Sequence, residues 1–153
     1  MRVRTVVAGV LSAVALGVGL AAPASAAAEK YALVGPAADV FCSDLTPAPD
    51  ENISQIAPGF AIFNANQNKV SAVVSVKDAP PNTEFPIRLI QAGGTGFDCF
   101  TVDGTLKTNG NGKGTLNVSE APDGTRAQVI IDTSVLTGTP SYRATQPFVF
   151  GKE

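Results

Sequence analysis

Beyond Phe60 the chain is a series of strand-length apolar runs separated by Gly, Pro and Asn, and this spacing limits the fold more than any other feature. The clearest run is Lys69 to Lys77. Val70, Ala72, Val74 and Val76 alternate with Ser71, Val73, Ser75 and Lys77, a period of two that places the first set on one face of a strand. Asp78-Ala79-Pro80-Pro81-Asn82-Thr83 ends it, because proline has no N–H to give to a ladder. Phe85 to Gln91 resumes with Phe85, Ile87 and Leu89 aligned, and Gly93-Gly94-Thr95-Gly96 separates it from Phe97 to Lys107. Asn109-Gly110-Asn111-Gly112 turns the chain into Lys113 to Glu120, since Asn and Gly accept the positive φ a tight hairpin requires. Pro122-Asp123-Gly124 introduces Thr125 to Thr133, with Ala127, Val129 and Ile131 aligned. A last strand is expected over Tyr142 to Phe150, aligning Tyr142, Ala144, Phe148 and Phe150. No segment has the pattern of a long amphipathic helix.

Six runs after residue 59, with one or two before it, suit an all-β antiparallel sandwich of about seven strands. Immunoglobulin-like topology is the leading expectation and a small closed barrel the alternative. Lys30 to Gly35 is a short apolar segment. Residues 36–58 read as loop with a short strand around Val40 to Ser43, so 27–59 forms a loop-rich N-terminal part of a single domain and 60–153 supplies the strands.

The beginning of the chain has a different character. Arg2 and Arg4 precede an apolar run from Val6 to Ala22 interrupted only by Ser12, and Ala24-Ser25-Ala26 offers small residues where a signal peptidase reads them. The pattern predicts a secretory signal over 1–26, cleaved after Ala26, with Ala28 the next position. The run is shorter than the ~20 residues a membrane-spanning helix needs. No cysteine follows the leader to take a lipid, and 148–153 carry no apolar tail, so the expected product is secreted, soluble and extracellular. Removing Arg2 and Arg4 from 11 basic residues leaves nine against 13 acidic ones, a formal charge of −4. Lysines and arginines are scattered singly along the sequence, which predicts no nucleic-acid partner.

Cys42 and Cys99 are the only cysteines. In an oxidising compartment they are expected to pair, and closing a loop of this length stabilises a fold by about 4 kcal/mol on the chain-entropy model. The chain has no histidine. That removes Ser-His-Asp and Cys-His nucleophiles and every histidine-based metal site, and it leaves no partner to activate a thiolate. Asp98 and Asp103 are the nearest pair for a carboxylate hydrolase, but five positions apart in one strand they face opposite ways. Residues 109–114 lack the Lys-Ser/Thr of a phosphate loop and the carboxylates of a calcium loop, and a hairpin turn accounts for them. Asn52 and Asn117 begin glycosylation sequons, which are expected to go unused. No cofactor and no catalytic or metal-ligating residue is predicted.

One positive clue is a second apolar set. Val73, Ile90, Phe100, Ile130 and Val149 fall on the parity opposite the main core and could join in an exposed partner face, or could be isolated outer residues or lie under 36–58.

The run Asp78-Ala79-Pro80-Pro81-Asn82-Thr83-Glu84-Phe85 with Ile87-Arg88-Leu89, followed by Thr108-Asn109-Gly110-Asn111-Gly112-Lys113-Gly114, resembles small secreted β-sandwich proteins of high-GC Gram-positive bacteria. The similarity covers roughly Val70 to Phe150. It implies export and an immunoglobulin-like sandwich, and it brings no catalytic residue. The functional expectation is a non-enzymatic binding or structural module that meets a protein or a cell-envelope component. Alternatives are an inhibitor or small-ligand carrier using a loop such as Gly93 to Gly96 or a cavity, and, third, the carboxylate hydrolase.

Overall fold

The computed structural model describes residues 26–37, 59–95, 99–138 and 140–151. Nine strands are found among them: β1 (Ala26–Ala37), β2 (Gly59–Asn66), β3 (Lys69–Val76), β4 (Glu84–Gly93), β5 (Gly104–Lys107), β6 (Gly114–Glu120), β7 (Gly124–Asp132), β8 (Tyr142–Ala144) and β9 (Phe148–Val149). One helical turn, α1 (Ser134–Thr137), links β7 to β8. All pairings are antiparallel, in the order β5-β4-β7-β8-β1-β2-β3-β6, with β9 also on β7.

The all-β expectation is met, and the strand order is that of a nearly closed barrel. β1 joins its two halves. Ala26 to Leu33 pair with β2, whereas Val34 and Ala37 pair with β8, and the register shifts between those last two. Gly35-Pro36 lies in that shift, where a proline cannot continue the ladder. The region expected to be loop-rich therefore supplies the strand that holds the two halves together.

The remaining gap lies between β5 and β6, which close it through side chains. A Cβ on Gly104 would stand 2.9 Å from Leu116 Cδ2, and one on Gly114 would stand 2.5 Å from Leu106 Cδ2. Glycine at both positions lets each leucine reach across. With β6 beside β5, strands β7-β4-β5-β6 form a Greek key. In an immunoglobulin domain the sheets run A-B-E-D and C-F-G, so the second and third strands lie in different sheets, whereas here β1, β2 and β3 are successive neighbours in one sheet, and the barrel alternative describes this topology better.

The main core fills the barrel with Phe63, Val70, Val74, Phe85, Ile87, Leu89, Leu106, Val129, Ile131 and Phe148, all buried. Phe63 and Phe148 stack at 5.2 Å, and Tyr31 meets Phe63 edge-on at 5.6 Å. The period-two sets of β3, β4 and β7 point inward as expected.

Two expected strands are shorter than the alternation implies. Among the described residues 99–107 only Gly104–Lys107 joins the ladder, because Asp103 ends it: its N–H donates to Ile87 O at 2.9 Å and its carboxylate accepts the Leu89 N–H at 2.6 Å. Tyr142 to Phe150 splits into β8 and β9 at Thr145-Gln146-Pro147. Ala144 pairs with Ile130 and Phe148 with Ala127, so four steps on one strand match three on the other. The extra residue reverses the parity, placing Tyr142 and Ala144 on the outer face and Phe148 in the core.

Candidate functional site

The five residues of the second apolar set do not share one surface. Ile90 and Ile130 are 1% and 2% exposed, and with Ala92, Cys99 and Ala144 they form a separate small core on the outer side of β4, β7 and β8. Val34 and Tyr142 pack against it. Val149 is 56% exposed and Phe100 is 84% exposed beside Cys99 in the chain. Val73 alone lies on the opposite side of the molecule, on the outer face of β1-β2-β3-β6. A single partner face built from all five is thus ruled out by burial. Parity alone could not show this, since an outward residue is exposed only where nothing covers the sheet.

The polar groups singled out by spacing serve the fold. Asp103 replaces a ladder carbonyl, and Asp98 lies outside the described residues, as does the strand expected at Val40 to Ser43 and the Cys42 end of the expected disulfide. Cys99 itself is 3% exposed in the small core. Asn109 Oδ1 accepts the N–H groups of Asn111 and Lys113, and Gly112, at φ 69, donates to Asn109 O. A Cβ on Gly112 would lie 2.0 Å from Ala79 O, so this turn is pressed against the proline-rich turn before β4. Of the Gly93 to Gly96 loop, Thr95 N donates to Asp123 Oδ1 at 3.0 Å, which ties it to the β6–β7 connection. Gln91 holds that connection too, donating to Glu120 and Ala121 and accepting from Asp123 N. No group of three or more potential metal ligands occurs among the described residues.

Arginine chemistry is also internal. Arg143 pairs with Ile131 on the inward side, is 4% exposed, and has its pKa lowered by burial. Arg88 lies 3.9 Å from Asp132 and faces the Tyr142 ring at 5.7 Å.

What remains open is the outer face of β1-β2-β3-β6. The registers align Lys30, Ile62, Val73 and Asn117 in one row across it, and Ala32, Phe60, Ser75 and Thr115 in the next. Ile62 and Val73 are directly paired and exposed. Phe60, half-buried, has the Lys30 ammonium 3.8 Å from its ring centre, and it lines a hollow of about 180 Å³ with Gly59, Ser75, Val76 and Lys77. Ser75 and Thr115 hydroxyls lie 3.1 Å apart, and the Ser71 hydroxyl donates to Asn64 O.

Charge is sorted on this face. Lys30 and Lys69 project from it and Lys77 stands at its edge, all exposed and none in an ion pair with a described residue. No carboxylate shares the rows. Glu29 points to the Phe63 side and accepts from the Tyr31 hydroxyl at 2.6 Å, Glu120 is held by Gln91, and Asp78 lies past the end of β3. Sequence reading missed this because Lys30 comes onto the face of Lys69 and Lys77 only when β1, β2 and β3 are set side by side.

No family model, curated protein or solved structure matches the chain.

Proposed function

We propose that the protein is an exported, non-enzymatic binding module whose working surface is the outer face of β1-β2-β3-β6. The observation that carries this reading is the sorting of charge: on a chain of formal charge −2, or −4 without its leader, one exposed sheet face bears lysines and apolar side chains and no carboxylate. A solvated face with no task has no need to exclude carboxylates while exposing Ile62 beside Val73.

Export follows from the leader pattern, and β1 begins at Ala26, next to the expected cleavage point. A Cys42–Cys99 disulfide belongs to the same proposal, anchoring the segment around Cys42 to the small core that buries Cys99. The absence of histidine argues against histidine-dependent nucleophilic catalysis, and the engagement of Asp103 with Leu89 argues against the carboxylate hydrolase.

The test is co-sedimentation of the purified protein with cell-envelope fragments of the producing organism. Wild type is expected in the pellet and Val73→Glu, which places a carboxylate at the centre of the face, in the supernatant with an unchanged melting temperature. Equal recovery of the two would overturn the assignment of this face.

A further inference from the structure

We infer that the ligand of this face is an acidic glycan, a chain of sugar rings carrying carboxylates at intervals. The inference rests on the binding role proposed above and assigns its chemistry. The placement of charge points there first. Lys69 and Lys77 are eight positions apart, which is roughly 26 Å at a strand's rise of about 3.3 Å per residue. Lys30 lies in the row of Val73, midway between them. A small anion can touch one of these ammonium groups, whereas an extended chain with widely spaced negative charges can meet all three.

The ground between the lysines suits sugar rings. Phe60, Ile62 and Val73 offer an apolar strip for the C–H faces of a pyranose, and on either side the Ser71 and Ser75 hydroxyls offer acceptors and the Asn117 amide both donors and an acceptor for sugar hydroxyls. Lysine, a flexible point charge, tolerates variation in where each carboxylate falls. A lipid surface fits less well, because Ile62 and Val73 sit at strand centres, and burying them in acyl chains would strip water from the flanking hydroxyl and amide groups. A second copy of the same face would set lysines against lysines.

The experiment titrates the purified protein with polygalacturonate, with dextran, and with phosphatidylglycerol/phosphatidylcholine vesicles, following binding by calorimetry. Saturable binding to polygalacturonate is expected, weakening at least tenfold between low and physiological salt. It should weaken at least tenfold in the triple variant Lys30→Gln/Lys69→Gln/Lys77→Gln and in Phe60→Ala. The control Lys107→Gln, on β5 and away from these rows, should bind as wild type. Equal binding of dextran, binding of vesicles in place of polygalacturonate, or an unaffected triple variant would each overturn the proposal. If polygalacturonate is not bound while envelope fragments retain wild type and release Val73→Glu, the acidic-glycan assignment falls and the binding module stands. If envelope binding ignores Val73→Glu, both fall. All three lysines are exposed, so the variants are expected to melt as wild type does, and a melt on each verifies it.

Discussion

The Asp103 carboxylate accepts the Leu89 backbone N–H at 2.6 Å, standing in for a main-chain carbonyl just before β5 begins. Asp103→Ala leaves that N–H, from a buried residue of β4, without its partner, at a cost of about 1–3 kcal/mol. Asp103→Asn keeps a neutral acceptor and should lose less. Thermal melts of the three proteins check this order, and an alanine variant as stable as wild type would contradict it.

Thr108 joins the two turns at one end of the barrel. Its hydroxyl donates to Pro80 O at 2.6 Å and accepts the Thr83 N–H at 2.9 Å, and the residue is 1% exposed. Thr108→Val keeps the shape and removes both bonds, so a loss of roughly 2 kcal/mol is expected, with Thr108→Ser losing under about 1 kcal/mol. Urea denaturation measures both. Similar losses for valine and serine would show that packing of the methyl group, and not the hydrogen bonds, matters at this position.

These two residues also show how far the sequence could be read. The alternation of β3 was legible because only one of its faces is buried, so a one-residue slip would expose every core side chain, and the inward sets of β4 and β7 were legible as uniformly apolar. The turn at Asn109 was legible from the conformational needs of Asn and Gly, although β5 and β6 on either side of it do not pair as a hairpin. Hidden were features set by partners distant in sequence: Asp103 replacing a ladder group, the extra residue at 145–147 that reverses parity, and the cover over Ile90. The candidate site was represented only by Val73. Its other members are ordinary strand residues until the registers of β1, β2, β3 and β6 place them in rows.

The small outer core gives the next prediction. Ile90→Ala or Ile130→Ala should cost about 2–5 kcal/mol, as large-to-small changes in a packed interior do. Val73→Ala, on the open face, should stay within about 1 kcal/mol. Denaturation midpoints decide, and equal effects at all three positions would mean that the two faces are covered alike.

Tyr31 supplies a pH signature. Burial, reinforced by its hydrogen bond to Glu29 and by that carboxylate's charge, raises its pKa from 10 to about 12. The unfolded chain loses this proton first, so the stabilisation is complete below pH 10 and is lost as pH rises towards 12. Tyr31→Phe has no proton to lose. The stability difference between wild type and variant, followed by denaturation at pH 9 and pH 11.5, should move against wild type at the higher pH. A difference that does not change with pH would show that Tyr31 ionises as in the unfolded chain.

The central claim concerns which surface meets the ligand, and acetylation footprinting reads it directly. The protein is treated with acetic anhydride, free and bound to envelope fragments, and each lysine is quantified by mass spectrometry. Lys30, Lys69 and Lys77 are expected to become protected on binding, while Lys107, exposed and paired with Glu84 at 3.1 Å, keeps its reactivity. Uniform reactivity of all four lysines in the bound protein, or protection of Lys107 in place of the other three, would contradict the account.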